Sequence, residues 1–383
     1  MIGREFLDLD QPVEAAVRRG LFSREEDAPH GARRAEQTLA KLTRERPAVL
    51  ALAEHVTENQ ELGEALQEHA LTVLVDETRG PDLDDIVLAA LGVRIEAGAR
   101  PESGALIADP AVLDLHPLEL DETHLVQEKS LEEARRLWAE LGLSRSGTIV
   151  GYGGGTTTDV AGFVAATFRR GVAWIAVPTT LLGQVDGGIG GKTSVDLREG
   201  KGLAGVFHYP EEVLIDPALL STLSDEERRA GMAEVVKTGL LAGLEVWNLP
   251  EEPMIRACAA YKAGVCLADP YEDGRRAILS LGHTFGHALE AASLYTIRHG
   301  EAVALGLLAA LRLSGISTDV VETVLDPRPV SVNREHAWEA LKRGAEVRDG
   351  KIELVLLEAP GRPVWGVGQP EAEVQAALDS LIA

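Results

Sequence analysis

The feature that most constrains this chain is a glycine run at the end of an apolar strand pattern. Thr148-Ile149-Val150 leads straight into Gly151-Tyr152-Gly153-Gly154-Gly155, and Thr156, Thr157, Thr158 and Asp159 open a helical stretch, giving GYGGGTTTDVAGF. A strand that empties through glycines into a helix is an α/β connection. It lets the backbone approach a pyrophosphate and aims unpaired helix N–H groups at it. GxGGG is not the full dinucleotide fingerprint, so a plain strand–helix turn is the competing reading. A second segment, VPTTLLGQVDGGIGGKTSVDLREGKGLAGVF, holds seven glycines between Gly183 and Gly202. Such a run is poor material for a helix or strand interior and predicts a loop around an anion. Lys192 and Lys201 would then be its point charges for phosphate.

Chemistry-bearing side chains cluster further on. In LGHTFGHALE, His283 and His287 are four residues apart and share a helix face. His299 starts the next helical run, HGEAVALGLL, and Glu234 lies upstream on AEVVKTGL. Imidazoles with one carboxylate are the donor set of a zinc-type site with a position open for substrate. Spacing alone leaves open which of the three histidines bind metal. Arg170, Lys237, Lys262, Arg275 and Arg276 fall near these motifs and suit an acidic, phosphorylated small molecule. A dinucleotide, a divalent metal and a hydroxylated anion together point to alcohol oxidation assisted by a Lewis acid.

Composition narrows the classes. With 37 Lys and Arg against 61 Asp and Glu, the net charge of −24 argues against nucleic acid and anionic membranes as partners. An apolar fraction of 45% supports a sizeable core. The two cysteines, Cys258 and Cys266, make no CxxC pair, which excludes a disulfide framework and fits a reducing compartment. No apolar run is long enough to span a bilayer, and MIGREFLDLDQ lacks a leader pattern, so the expected location is the cytoplasm.

Along the chain, residues 1–80 read as charged helix closing on a strand at Leu71–Val75. A looser stretch follows to about residue 125. Ser130 caps a predicted helix to Leu141, and Val172–Val177 is a strand closed by Pro178. After about residue 220 the pattern is helical over Ser224–Leu241, Glu252–Ala268, Thr284–Ala292 and Glu301–Leu313. A strand pair, Lys351–Leu357 with Val364–Val367, and a last helix end the chain. The expected fold is an α/β domain followed by a mainly α-helical one.

From about residue 100 onward the chain resembles the 3-dehydroquinate synthase family of sugar-phosphate cyclases. The resemblance rests on GGGTTTDVAGFVAATFRRG, VPTTLLGQVDGGIGGKTSVD, GKGLAGVF, AGMAEVVKTGLL, the Lys262…Asp269…Glu272…Arg276 run, LGHTFGHALE and HGEAVALGLLAA. It implies an NAD-binding α/β domain at 81–222 and a helical metal- and substrate-binding domain at 223–383. It further implies a homodimer that turns 3-deoxy-D-arabino-heptulosonate 7-phosphate, a phosphorylated sugar acid, into 3-dehydroquinate and phosphate. NAD+ and Zn2+ or Co2+ are the implied cofactors. By motif position, Glu234, His283 and His299 are the implied metal ligands, and His287 becomes a substrate contact. Asp109, Lys129, Gly154, Gly155, Asp159, Thr179, Thr180, Lys192 and Lys201 fall at NAD positions. Asp186, Arg170, Lys192, Lys237, Lys262 and Arg276 fall at catalytic or substrate positions, with Glu272 beside Arg276.

The chain departs from the family pattern at Gly202 and Ser280, where asparagines are usual, and at Gly344-Ala345-Glu346, where a lysine pair is missing. These departures keep alive a second reading, a cyclase for another sugar phosphate or an impaired relative. Residues 1–80 resemble part of shikimate kinase, through GREFLDLD, ARRAEQTLAKL and HALTVLVD, with Asp10 and Arg33 at shikimate-binding positions. They lack the ATP loop GxxxxGK[ST], so no kinase activity is expected.

Overall fold

The computed structural model describes residues 81–383, apart from positions 199, 346, 349 and 350. The kinase-like segment and the strand expected at Leu71–Val75 lie outside the described residues. The described chain forms two compact units, residues 81–92 with Ala260–Arg276, and Val93–Ala259 with Ala277–Ala383. The smaller unit contains helix α1 (Pro81–Leu91).

The larger unit is built on a six-stranded sheet of β1 (Val93–Ile95), β2 (Ala105–Ala108), β3 (Glu122–Leu125), β4 (Thr148–Gly153), β5 (Ala173–Pro178) and β8 (Glu212–Ile215). Every pairing is parallel, in the order β1-β8-β5-β4-β2-β3. The central strands ALIA and TIVGYG are buried nearly throughout, the near-continuous apolar signature of a sheet covered on both faces. Helices α2 (Pro110–Leu115), α3 (Leu131–Glu140) and α4 (Gly155–Thr167) make the crossovers. The stretch 80–125, expected to be loose, carries α1, β1, β2, α2 and β3. Its Gly and Pro residues mark short, closely spaced element boundaries.

The chain leaves β2 toward β3 and leaves β4 toward β5, on opposite sides. The crevice at the C-terminal ends of β2 and β4 is therefore the switch point of the sheet, the default ligand position in such folds. Two glycines let α4 lie tight there. A Cβ at Gly151 would stand 2.7 Å from Ala161 Cβ, and one at Gly162 would stand 2.3 Å from Thr193 Cγ2.

The second glycine segment is not the loop its composition predicts. It forms a π-helical turn, Gly183–Gly187, and then an antiparallel ribbon of β6 (Lys192–Leu197) and β7 (Gly200–Phe207). Glycine is used there for close approach. A Cβ at Gly205 would lie 2.6 Å from the Thr193 carbonyl oxygen.

Helices then dominate: α5 (Asp225–Ala242), α6 (Glu251–Ala268), α7 (His283–Ala292) and α8 (His299–Leu313). Ser224 caps α5 by accepting the Glu227 amide at 3.2 Å, and Gly243 ends it in the left-handed conformation. Two short helices, α9 (Asp319–Val324) and α10 (Arg334–Gly344), lead to strands β9 (Val347–Arg348), β10 (Lys351–Ala359) and β11 (Arg362–Pro370) and to α11 (Glu371–Asp379). No helix among the described residues is long and apolar enough to cross a membrane.

The histidine helices α7 and α8 cross almost in backbone contact. A Cβ at Gly306 would lie 2.0 Å from the Gly282 carbonyl oxygen, and one at Gly286 would lie 3.1 Å from the Ala302 carbonyl oxygen; at Gly300 α8 meets α5 instead, a Cβ there lying 2.3 Å from Ala230 Cα. Backbone cannot yield as a flexible side chain can. Gly306→Ala is therefore expected to cost at least the ~3 kcal/mol upper end of ordinary overpacking, measured by urea denaturation. Gly344, with open space around it and no left-handed backbone, is the comparison site for a substitution elsewhere on the helical side. Equal stability losses at both positions would show that the close crossing carries no special weight.

Candidate functional site

The crevice is assembled from the two strand ends. Asp109 follows β2 and caps α2, its Oδ1 accepting the Ala111 amide at 2.8 Å. Gly154 is the N-cap of α4 and offers no side chain to the helix, so the first amides of a 13-residue helix face outward without a side-chain acceptor. The turn has no room for side chains. A Cβ at Gly153 would meet Thr157 Oγ1 at 2.7 Å and Asp109 Cβ at 3.0 Å, and one at Gly154 would meet Thr180 Cγ2 at 3.1 Å. Nothing lies within 4 Å of a Cβ at Gly155, which leaves space directly before the helix. Thr179 donates its amide to the Gly153 carbonyl at 2.9 Å, and its buried Oγ1 has no hydrogen-bond partner among the described residues. Thr180 Oγ1 accepts the Gly183 amide at 3.1 Å. A glycine cradle, uncapped helix amides and an orphaned buried hydroxyl fit a dinucleotide phosphate. Of the charged residues expected there, Lys129 and Asp159 form an ion pair with each other, and Ser194 Oγ lies 3.5 Å from Asp159 Oδ2. Lys192 opens β6 and is exposed.

The donor cluster is built by α5, α7 and α8. Glu234 is fully buried, and its Oε1 lies 3.4 Å from both His283 Nε2 and His299 Nε2. The other nitrogen of each ring faces an acceptor. His283 Nδ1 is 3.2 Å from the Leu281 carbonyl, and His299 Nδ1 is 3.4 Å from Glu290 Oε2. A carbonyl only accepts, so His283 carries a proton on Nδ1, which leaves Nε2 as the nitrogen that faces Glu234. Neither Glu234 oxygen has a well-formed hydrogen bond among the described residues. Two imidazole nitrogens and a carboxylate oxygen converging on one point could hold a divalent ion, and the donor types suit zinc or cobalt. His287 stands exposed at the edge, its ring centroid 5.4 Å from that of His283 and 6.0 Å from that of His299.

Lys237, one helical turn beyond Glu234, is buried with it, and its Nζ is 2.5 Å from Glu234 Oε2 and 3.7 Å from Asp186 Oδ2. Burial alone would raise the Glu234 carboxyl. The Lys237 ammonium and the His283 and His299 imidazoles outweigh it and hold the carboxyl well below its usual range. Burial likewise pulls Lys237 down, and the Asp186 and Glu234 carboxylates more than restore it. Asp186 is placed by the π turn. Fully buried Gln184 pins that turn, donating Nε2 to the Pro178 carbonyl at 3.2 Å and the Asp216 carbonyl at 2.8 Å.

Three expected site residues belong to the smaller unit. Lys262 is buried on α6, Glu272 sits in a left-handed turn (φ 63°), and Arg276 is buried with Nη1 2.9 Å from the Pro270 carbonyl. Asp269 builds this turn by accepting the amides of Asp273, Gly274 and Arg276 at 2.9, 2.8 and 3.0 Å. Arg170 is exposed on a left-handed turn (φ 68°) between α4 and β5. Gly202 is also left-handed (φ 63°), with its amide on Asp196 Oδ1 at 2.8 Å. Lys201 is not free: its Nζ lies 3.4 Å from Glu290 Oε1. Sequence reasoning missed Glu290 and Gln184. Each had a signal, a polar residue inside an otherwise apolar or glycine-rich buried stretch.

The crevice and the donor cluster define an α/β protein equipped for a dinucleotide and a divalent metal. Comparison with known proteins narrows this class. Residues 121–230 match the model of the 3-dehydroquinate synthase N-terminal domain, and residues 231–326 match that of its C-terminal domain. The 3-dehydroquinate synthase of Enterococcus faecalis is 36% identical over 334 residues, covering 76% of this chain and 93% of that one. Among solved structures, 2-deoxy-scyllo-inosose synthase complexed with carbaglucose-6-phosphate, NAD+ and Co2+ superposes with a TM-score of 0.66. It is 25% identical over 75% of this chain and 96% of its own. A 2-epi-5-epi-valiolone synthase from Streptomyces hygroscopicus with NAD+ and Zn2+ bound gives 0.65 at 25% identity, covering 76% of this chain and 96% of that one. The chain belongs to the 3-dehydroquinate synthase family.

The Lys237–Glu234 pair makes a pH-dependent prediction for metal-free protein. A depressed carboxyl stabilises the fold above its ordinary value of 4.5 and loses that contribution as pH falls through the depressed value. In Lys237→Met the buried carboxyl loses its strongest attractive partner and rises. The stability deficit should reach about 3–5 kcal/mol near pH 8 and shrink toward pH 5. Urea denaturation in chelator at both pH values measures it, and a deficit independent of pH would refute the argument.

Proposed function

We propose that this chain converts 3-deoxy-D-arabino-heptulosonate 7-phosphate to 3-dehydroquinate and phosphate, with NAD+ and Zn2+ or Co2+ as its cofactors. The observation that carries the proposal is the meeting of His283 Nε2 and His299 Nε2 at one oxygen of a buried carboxylate. In this reading Glu234, His283 and His299 hold the metal. Gly154 and Gly155 admit the NAD+ pyrophosphate to the start of α4, and Asp109, Thr179, Thr180, Lys129, Asp159, Lys192 and Lys201 surround the rest of the nucleotide. When bound, NAD+ supplies a hydride acceptor that is returned oxidised, and the metal supplies Lewis acidity toward the substrate hydroxyl.

The chain's own residues bind and orient the substrate. Asp186 and Lys237, already paired, offer an acceptor and a donor to its hydroxyls. Lys262, Arg276 and Arg170 carry the cations for carboxylate and phosphate, and Glu272 accompanies Arg276. His287, exposed beside the cluster, is suited to move a proton at a substrate oxygen. Elimination of phosphate from the oxidised sugar is followed by reduction of the ketone, opening of the sugar ring and an intramolecular aldol closure to the carbocycle. Residues 81–222 serve the nucleotide and residues 223–383 the metal. We further propose a cytoplasmic homodimer in which the shikimate kinase-like segment 1–80 has no kinase activity.

Identity of 36–42% to several 3-dehydroquinate synthases, against 25% to cyclases of other sugar phosphates, supports the named substrate over a different one. The test is incubation of the heptulosonate phosphate with the protein, NAD+ and Zn2+. Phosphate and 3-dehydroquinate should appear in equal amounts with no net NADH. Accumulating NADH would point to a dehydrogenase, and turnover of other sugar phosphates alone would point to a different cyclase. In His283→Ala, metal content after dialysis should fall below one tenth of the protein concentration. Full occupancy would remove His283 from the ligand set.

A further inference from the structure

Glu290 is a buried carboxylate that the reaction as described does not use. It lies on α7, seven residues beyond His283 and facing α8, with 4% of its surface exposed. Its two oxygens are engaged separately. Oε2 is 3.4 Å from His299 Nδ1, and Oε1 is 3.4 Å from Lys201 Nζ on the β6–β7 ribbon. The Lys201 ammonium also sits 4.5 Å above the centroid of the Tyr295 ring. Tyr295 in turn donates its amide to the Glu290 carbonyl at 2.7 Å, within a turn where Leu294 and Tyr295 are both left-handed (φ 53° and 60°). Two successive non-glycine residues in that region are costly and persist only where the surroundings dictate them. Here the turn closes α7 so that Glu290 points at the first residue of α8.

We infer that Glu290 is a positioning residue for the metal site: its Oε2 holds the proton of His299 on Nδ1 and so presents Nε2 as a donor beside Glu234 Oε1. The inference rests on the metal reading of Glu234, His283 and His299. An imidazole can ligate through only one nitrogen at a time, and the acceptor on the other fixes both the tautomer and the ring plane. His283 obtains this from the Leu281 carbonyl. His299, the first residue of its helix, has no such carbonyl contact among the described residues and takes a carboxylate instead. The Lys201 ammonium and the Tyr295 ring keep that carboxylate from turning away.

The experiment uses full-length protein stripped of metal and titrated with Co2+ against a competing chelator, without NAD+ or substrate. Glu290→Ala should weaken Co2+ binding by about 10- to 100-fold and alter the visible ligand-field bands. Glu290→Gln keeps an acceptor for Nδ1–H and should recover most of the affinity and the parent bands. Glu301→Gln, an exposed acid two residues from His299, removes the same charge and should change neither. Wild-type affinity and bands in Glu290→Ala would overturn the inference, as would equal losses in Glu290→Gln and Glu301→Gln, which would reduce the effect to charge. Should Glu290→Ala fail to fold, the contrast between the Gln variants decides. Wild-type protein that binds no Co2+ would instead defeat the metal reading itself.

Discussion

The site depends on a carboxylate sealed away from water without a conventional hydrogen bond. Glu234 is fully buried, faces two imidazole nitrogens with one oxygen, and touches the Lys237 ammonium with the other. An isolated charge could not stay ionised there, because removing it from water costs several kcal/mol. The elements around it follow from keeping it charged. The capped helix α5 places Glu234 and Lys237 one turn apart, Gln184 locks the π turn that brings Asp186 to Lys237, and the α7–α8 crossing delivers the histidines. The crossing is possible only because glycines stand where the two backbones meet. Several of those glycines neighbour the histidines in sequence, so a change that loosened the packing would displace the donors with it.

Much of this was legible in the sequence because backbone geometry and chemistry use the same residues. The run from Thr148 to Asp159 reads as strand, turn and helix, since a central parallel strand must be apolar throughout and a phosphate-binding turn must lack side chains. Ser130 announced its helix by capping, and Ser224, read as the start of a helical pattern, proves to be the cap of α5; both accept the amide three residues on. The three histidines were recognisable as a group, although spacing could not rank them. His283 and His287 share a helix face, but the partner of Glu234 and His283 in the convergent set is His299 from the next helix. That choice is made by the crossing of α7 and α8, a tertiary fact with no local signature.

The ribbon β6–β7 was illegible for a related reason. Glycine statistics describe what a residue prefers when nothing packs on it. At Gly205 and Gly162 the absence of a Cβ is required by Thr193, with an unbranched approach on either side of the same strand. Glu290 stands out in the sequence only as a polar residue beside apolar Ala288 and Leu289, and its two partners come from segments 89 residues before it and 9 after. Long-range pairing of this kind leaves no periodicity to read.

Charge balance links these local arrangements to an anionic substrate in a chain of net charge −24. Asp186, Glu234 and Glu290 contribute three negative charges, and Lys237 and Lys201 contribute two positive ones. In metal-free protein His299 adds to the positive charge. Its enclosure would lower the imidazole, but hydrogen bonds to Glu234 and Glu290 outweigh that and raise it to about 9, so it holds a proton at neutral pH. Each buried carboxylate of the cluster thus faces cations, Glu234 meeting Lys237 and His299, and Glu290 meeting His299 and Lys201. To hold a divalent ion, His299 would have to give up the proton on Nε2, because one lone pair cannot hold both. Lys237 and Lys201 are already held by carboxylates and offer little to an incoming phosphate or carboxylate, so the charge that a divalent ion would bring to the donor set is what the cluster would add toward holding an anion.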